Sequence, residues 1–153
     1  MKSFVGLIFA VALVEFASAI TKEYHDRAVA AKDACLKKHP SIKESDVQEF
    51  LKKHKLPETD DGKCMIACYM EEMNLMADGK INVEEAKKTN SDKYDGEPDN
   101  KELADKLIDH CSSQVSPDGM SKCEYAYQIS KCGLEYGMKN GLTPPKMYEE
   151  QRR

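Results

Sequence analysis

The strongest constraint on this chain is a pair of cysteines, Cys64 and Cys68, set in the stretch Lys63-Cys64-Met65-Ile66-Ala67-Cys68-Tyr69-Met70-Glu71-Glu72-Met73. Met65, Ile66, Tyr69, Met70 and Met73 recur at three- and four-residue steps, the apolar stripe of a helix. Cysteines four apart on a helix project from one side of it. Their β-carbons sit roughly 5–6 Å apart, and a disulfide needs about 3.8 Å. Cys64 and Cys68 therefore bond elsewhere, each to a different part of the chain. The helix that carries them becomes a hub to which two other elements are stapled.

The first residues set the compartment. Met1-Lys2-Ser3 is a short basic start, Phe4 to Phe16 is an apolar run broken only by Glu15, and Ala17-Ser18-Ala19 is a small-x-small cleavage site. Residues 1–19 thus read as a secretory signal peptide and Ile20 as the mature start. The run is shorter than the roughly 20 apolar residues of a membrane span. Cys35, Cys64, Cys68, Cys111, Cys123 and Cys132 all follow it, and an even count in a small secreted chain is a disulfide framework. Paired thiols leave no cysteine nucleophile. With no Cys-x-x-Cys pair and scattered histidines, neither zinc nor any cofactor is expected. A net charge of −4 with no basic stripe argues against nucleic acid and anionic membrane surfaces as partners.

From Thr21 the chain reads as helix nearly throughout. Thr21 caps a first helix that ends at His39-Pro40. Ser41 to Lys55 is a second, and Pro57 stops it. Asp60 or Asp61 caps the hub helix, which is expected to run to about Ala77, with Asp78-Gly79 a turn. Asn82 caps a short helix from Val83 to Lys88. Thr89 to Asp99 reads as a polar loop, Lys101 to Val115 as a fifth helix and Met120 to Met138 as the last. Cys123 and Cys132 are nine apart and lie on opposite faces of that helix, so it is gripped from both sides. The charged tail, residues 143–153, begins near Pro144-Pro145. One false lead is Asn74 to Glu85, which partly follows a calcium loop. Its third position is Met76, which has no oxygen to offer a cation that takes six or more.

Six cysteines allow fifteen connectivities. Barring Cys64–Cys68 and Cys123–Cys132 leaves ten, and geometry alone selects no further. The gaps between successive cysteines are 28, 3, 42, 11 and 8 residues. This spacing, behind a signal peptide, resembles the six-cysteine insect odorant-binding protein family with its pheromone-binding relatives. The three- and eight-residue gaps are the family's fixed ones; the 42-residue gap is at its long end. The resemblance implies the pairs Cys35–Cys68, Cys64–Cys123 and Cys111–Cys132. It also implies an all-α, six-helix disulfide-stapled fold over residues 20–142 around an internal hydrophobic cavity. The implied function is a secreted, extracellular carrier of odorants, pheromones or fatty-acid-like molecules through aqueous lymph. A sensory-neuron membrane receptor is then a further partner, and the protein a monomer or weak homodimer.

The residues suit such a cavity. Met65, Met70, Met73, Met76, Met120 and Met138 are flexible and polarizable, and can either line a plastic wall or fill a core. Tyr69, Tyr125 and Tyr127 can offer hydroxyls to a guest or sit as amphipathic surface residues. The expected ligand surface is Ile66, Tyr69, Met70 and Met73 of the hub helix, Leu103 and Leu107 of the fifth, and Tyr127, Leu134 and Met138 of the last. His25, His39, His54 and His110 lie on no clear apolar stripe and are expected at the surface rather than in a pH switch. The alternative function is a scavenger or interaction protein of saliva, venom or reproductive fluid. A small secreted lipase lacks support, since no Gly-x-Ser-x-Gly or His-Glu-x-x-His motif occurs.

Overall fold

The computed structural model describes residues 20–145. The signal-peptide reading of residues 1–19 and the tail beyond Pro145 lie outside the described residues. Six helices follow one another: α1 (Lys22–Lys38), α2 (Glu44–Lys53), α3 (Asp60–Glu72), α4 (Val83–Lys93), α5 (Pro98–Gln114) and α6 (Lys122–Asn140). The all-α expectation holds. Between α3 and α4 lies a two-stranded antiparallel hairpin, Met76–Ala77 paired with Lys80–Ile81. No described helix is long and apolar enough to cross a membrane.

Four of the helices, α1, α3, α4 and α6, start where a side chain satisfies one of the first amides. Thr21 Oγ1 accepts from the Tyr24 amide, Thr59 Oγ1 from that of Gly62, Asn82 Oδ1 from that of Glu85 and Ser121 Oγ from that of Glu124. The hub is capped by Thr59, not by the aspartates that follow it. Asp60 and Asp61 instead occupy its first turn, where the helix dipole favours negative charge.

The hub stops five residues short of the expected end. Asn74 adopts φ 58, its amide donates to the Glu71 carbonyl, and the Leu75 amide donates to that of Met70 at 2.8 Å. That is a Schellman termination, with asparagine at the left-handed position usually held by glycine. Met76 continues the apolar stripe on paper but is buried in the hairpin. Asp78 and Gly79 both have positive φ there and form a tight two-residue turn.

The expected polar loop from Thr89 to Asp99 is corrected too. Helix α4 continues to Lys93, and Thr89 and Asn90 are buried inside the fold. The Asn90 amide donates to Asp105 Oδ1 of α5 at 2.9 Å. A helix that buries polar rather than apolar side chains shows no stripe, so its second half is invisible to periodicity. Pro98 then opens α5 at its first position, where a missing amide costs nothing.

The three disulfides are Cys35–Cys68, Cys64–Cys123 and Cys111–Cys132. They tie α1 to α3, α3 to α6 and α5 to α6. The interior is divided rather than continuous. One cluster joins α3, the hairpin, α5 and α6 through Ala67, Met70, Met76, Tyr125, Ala126 and Ile129. A second packs Ile20, Tyr24 and Ala31 against Met73. A third surrounds Cys35, Met65 and Cys68 under Val47 and Ile42 at the edge of α2. Helix α2 itself buries no residue.

One position tests how tightly the hub is seated. A β-carbon on Gly62 would meet Pro57 Cβ at 2.6 Å and Thr59 Oγ1 at 2.9 Å. The proline ring cannot swing aside. Gly62→Ala should therefore destabilise by about 1–2 kcal/mol, because overpacking outweighs the roughly 1 kcal/mol gained in helix propensity. A thermal melt reads this as a lowered midpoint; an unchanged or raised midpoint contradicts the packing described.

Candidate functional site

Two hollows bear on function. The larger, about 270 Å³, is a cleft over the Cys35–Cys68 and Cys64–Cys123 bridges, rimmed by Lys38, His39, Glu71 and Lys122. Lys38 pairs with Glu72 at 2.7 Å and Lys122 with Glu71 at 2.9 Å, so the rim is a set of exposed ion pairs. The smaller, about 150 Å³, lies among α3, the hairpin, α4, α5 and α6. Its walls include Met70, Leu75, Ile81, Leu107, Ile108 and Ile129, with Asn90, Lys93 and Ser130 as its polar members. The second is the candidate site despite its size, because an apolar guest needs apolar walls and few, well-placed polar groups.

Of the residues expected to meet a ligand, Met70 and Leu107 line this cavity. Ile66 packs half-buried against the α3–α6 cluster, and Met73 is fully buried beneath α1. Tyr69 lies half-buried between the second and third clusters. Leu103 and Leu134 are half-buried on α5 and α6 without reaching the cavity wall. Tyr127 sits under the Lys63 ammonium, 4.9 Å from its ring centre. Met138 is 64% exposed and Met120 41% exposed, both on the outside. The Tyr125 hydroxyl is engaged by the Ile81 amide at 3.4 Å.

The wall residues that periodicity missed come chiefly from α4 and the hairpin: Leu75, Ile81, Ala86, Asn90 and Lys93. Ala86, Asn90 and Lys93 are spaced four and three apart, so they were findable had α4 been read to its true end. Among the histidines, His54 and His110 are exposed, and His39 is half-buried with Nδ1 at 2.6 Å from Asp61 Oδ1.

Beside the cavity lies a polar cluster at the junction of α1, α3 and α4. Burial raises the pKa of the Tyr24 phenol and pushes that of Tyr69 well above its ordinary range, and each hydroxyl acts on the other. Tyr94, buried where α4 ends, is pushed up to about 12 by burial and by the nearby Glu97 carboxylate. Its hydroxyl donates to the Thr143 carbonyl at 3.2 Å, and Asn100 donates to Thr143 Oγ1 at 2.8 Å. The start of the tail is thus pinned over α4 and α5. Lys93 is half-buried, its ammonium lies 5.8 Å from the Tyr24 ring centre, and burial lowers its pKa.

The arrangement defines a class: a small helical shell, cross-linked three times, with a largely apolar hollow that carries a few polar groups. The PBP/GOBP family model matches residues 17–136, and the chain belongs to that family, whose members are odorant-binding carriers. Among solved structures it is similar to the odorant-binding protein dmelOBP28a of Drosophila melanogaster, at 25% identity and a TM-score of 0.64. That match covers 80% of this chain and 98% of the other. It shares its fold with the fatty acid binding protein OBP56a from the oral disk of the blowfly Phormia regina. Identity there is 16%, the TM-score 0.58, and coverage 78% and 96%. No curated protein matches the chain.

The buried phenols give a pH signature. Their folded pKa values lie above the unfolded value near 10, so the stability they contribute is complete below pH 10 and is lost as pH rises above it, through about 12 for Tyr94. Followed by phenolate absorbance and circular dichroism, Tyr24, Tyr69 and Tyr94 should ionise only together with loss of helix. All seven tyrosines titrating near pH 10 with helix intact would contradict the burial described.

Proposed function

We propose that this protein is a secreted carrier of small hydrophobic molecules, holding one guest in the apolar cavity and moving it through extracellular fluid. The observation that carries this reading is the 150 Å³ hollow walled by Met70, Leu75, Leu107, Ile108 and Ile129 in a chain of a carrier family. A hollow of that size has room for a benzene-sized guest. Longer guests require the wall to give. Met70, with Met76 packed in the same cluster, can do this at little cost, since unbranched thioethers repack readily. Three disulfides and a leader-like N-terminus support export to an oxidising compartment. Membership of a carrier family is what supports reading the protein as a binder rather than an enzyme.

Titration with an environment-sensitive apolar dye should give saturable, one-to-one binding that small odorant-like alcohols displace. Leu107→Trp places an indole in the cavity and should lower dye affinity at least about tenfold, since most of the void is then occupied. Linear, unsaturable dye uptake, or a Leu107→Trp protein that binds as the parent does, would count against the cavity as the site.

A further inference from the structure

Helix α6 presents three residues to the hollow: Ile129, Ser130 and Gly133. Their spacing puts them on one helical face, and the last of them has no side chain. Glycine in the middle of a helix is destabilising relative to alanine, because the bare backbone loses the most conformational freedom on folding. Three things can keep a glycine in such a place: a special backbone conformation, a close approach by a neighbour, or a use for the empty space.

The first two fail at Gly133. It lies within α6, and the glycines with positive φ are Gly79, Gly96, Gly119 and Gly141. Apart from α6 itself, a β-carbon at Gly133 would meet only Leu107 Cδ2, at 3.5 Å, an ordinary van der Waals contact. Gly137, one turn further on, differs. A β-carbon there would touch both Leu107 Cδ1 and Leu142 Cδ2 at 3.6 Å, and Gly137 does not line the hollow. What distinguishes Gly133 is the room beside it, bounded by Leu107, which is itself a wall residue.

We infer that Gly133 is the position that limits guest size: the side chain it lacks leaves space that the guest fills, at the expense of stability in α6. This rests on the carrier reading above and adds to it the residue that sets the upper bound. Met70 on the facing helix can repack around a guest, since its thioether chain is flexible. A β-carbon fixed to the α6 backbone cannot swing aside, so the bound at Gly133 is a rigid one.

The test titrates the oxidised protein with linear alcohols of increasing length, read by calorimetry. In the parent, affinity should rise about fourfold with each added methylene until the hollow is full. In Gly133→Ala the rise should stop about one methylene sooner and in Gly133→Val about three sooner, with the shortest alcohols within about twofold of the parent. Gly133→Ala should melt no lower than the parent, because it gains helix propensity without overpacking. Gly137→Ala makes the same chemical change outside the hollow and should leave the length limit where it is. An unchanged length limit in both Gly133 variants, an equal loss for short and long alcohols, or a lowered melting midpoint in Gly133→Ala overturns the inference and leaves the carrier reading standing. If the parent binds no alcohol saturably, the carrier reading fails and the inference with it.

Discussion

The fold depends on one cross-link more than on any other contact: Cys64–Cys123, which fastens the hub helix α3 to the last helix α6 across 59 residues of sequence. Four residues further along the hub, Cys68 reaches the opposite way to Cys35 of α1. Because cysteines at that spacing cannot bond each other, the hub must hold a different helix with each. Cys132 then carries the chain of links on from α6 to α5. Of the six helices, α2 and α4 carry no covalent tie. Helix α2 buries nothing, and α4 is held by polar contacts such as Asn90 to Asp105.

Cross-linking explains why a hollow is tolerable. At about 24 cal/mol per Å³, the figure for a closed core cavity, a hollow of 150 Å³ costs at most about 4 kcal/mol. Each disulfide contributes about 2–4 kcal/mol by restricting the unfolded chain. One or two bridges therefore offset the void, and packing need not be continuous. The three separate apolar clusters express the same relaxation.

Much of the architecture was legible because it is written in local signals. Thr21 and Asn82 marked helix starts, Asp78-Gly79 marked the turn, and Cys123 and Cys132 on opposite faces marked α6 as the gripped helix. The pairing itself was not legible from geometry, which left ten connectivities; resemblance to a family supplied it. The hub's true end was hidden because Asn74 terminates it while Leu75 and Met76 keep the apolar pattern going. Most of the cavity wall was hidden for a related reason. Helix α4 buries Thr89 and Asn90, so polarity suggested a loop where the chain is helical, and Lys93 went unnoticed. Met138 failed in the opposite sense: it is apolar and in phase on α6, yet faces outward, since a stripe near a helix end outlasts the surface it packs on.

If covalent cross-links rather than side-chain packing hold the cavity walls apart, opening the central bridge should empty the site before it melts the helices. The most direct measurement is guest affinity in the Cys64→Ser/Cys123→Ser double variant, with helix content followed in the same sample by circular dichroism. Removing a native disulfide typically costs about 2–5 kcal/mol, so a fold of ordinary stability should keep most of its helix while α3 and α6 lose their fixed spacing. The predicted result is a loss of at least about tenfold in affinity for the apolar dye with most of the helical signal retained, roughly 1.4 kcal/mol or more of binding free energy. Unchanged affinity with that bridge absent would contradict the claim, for the walls would then be held by packing alone.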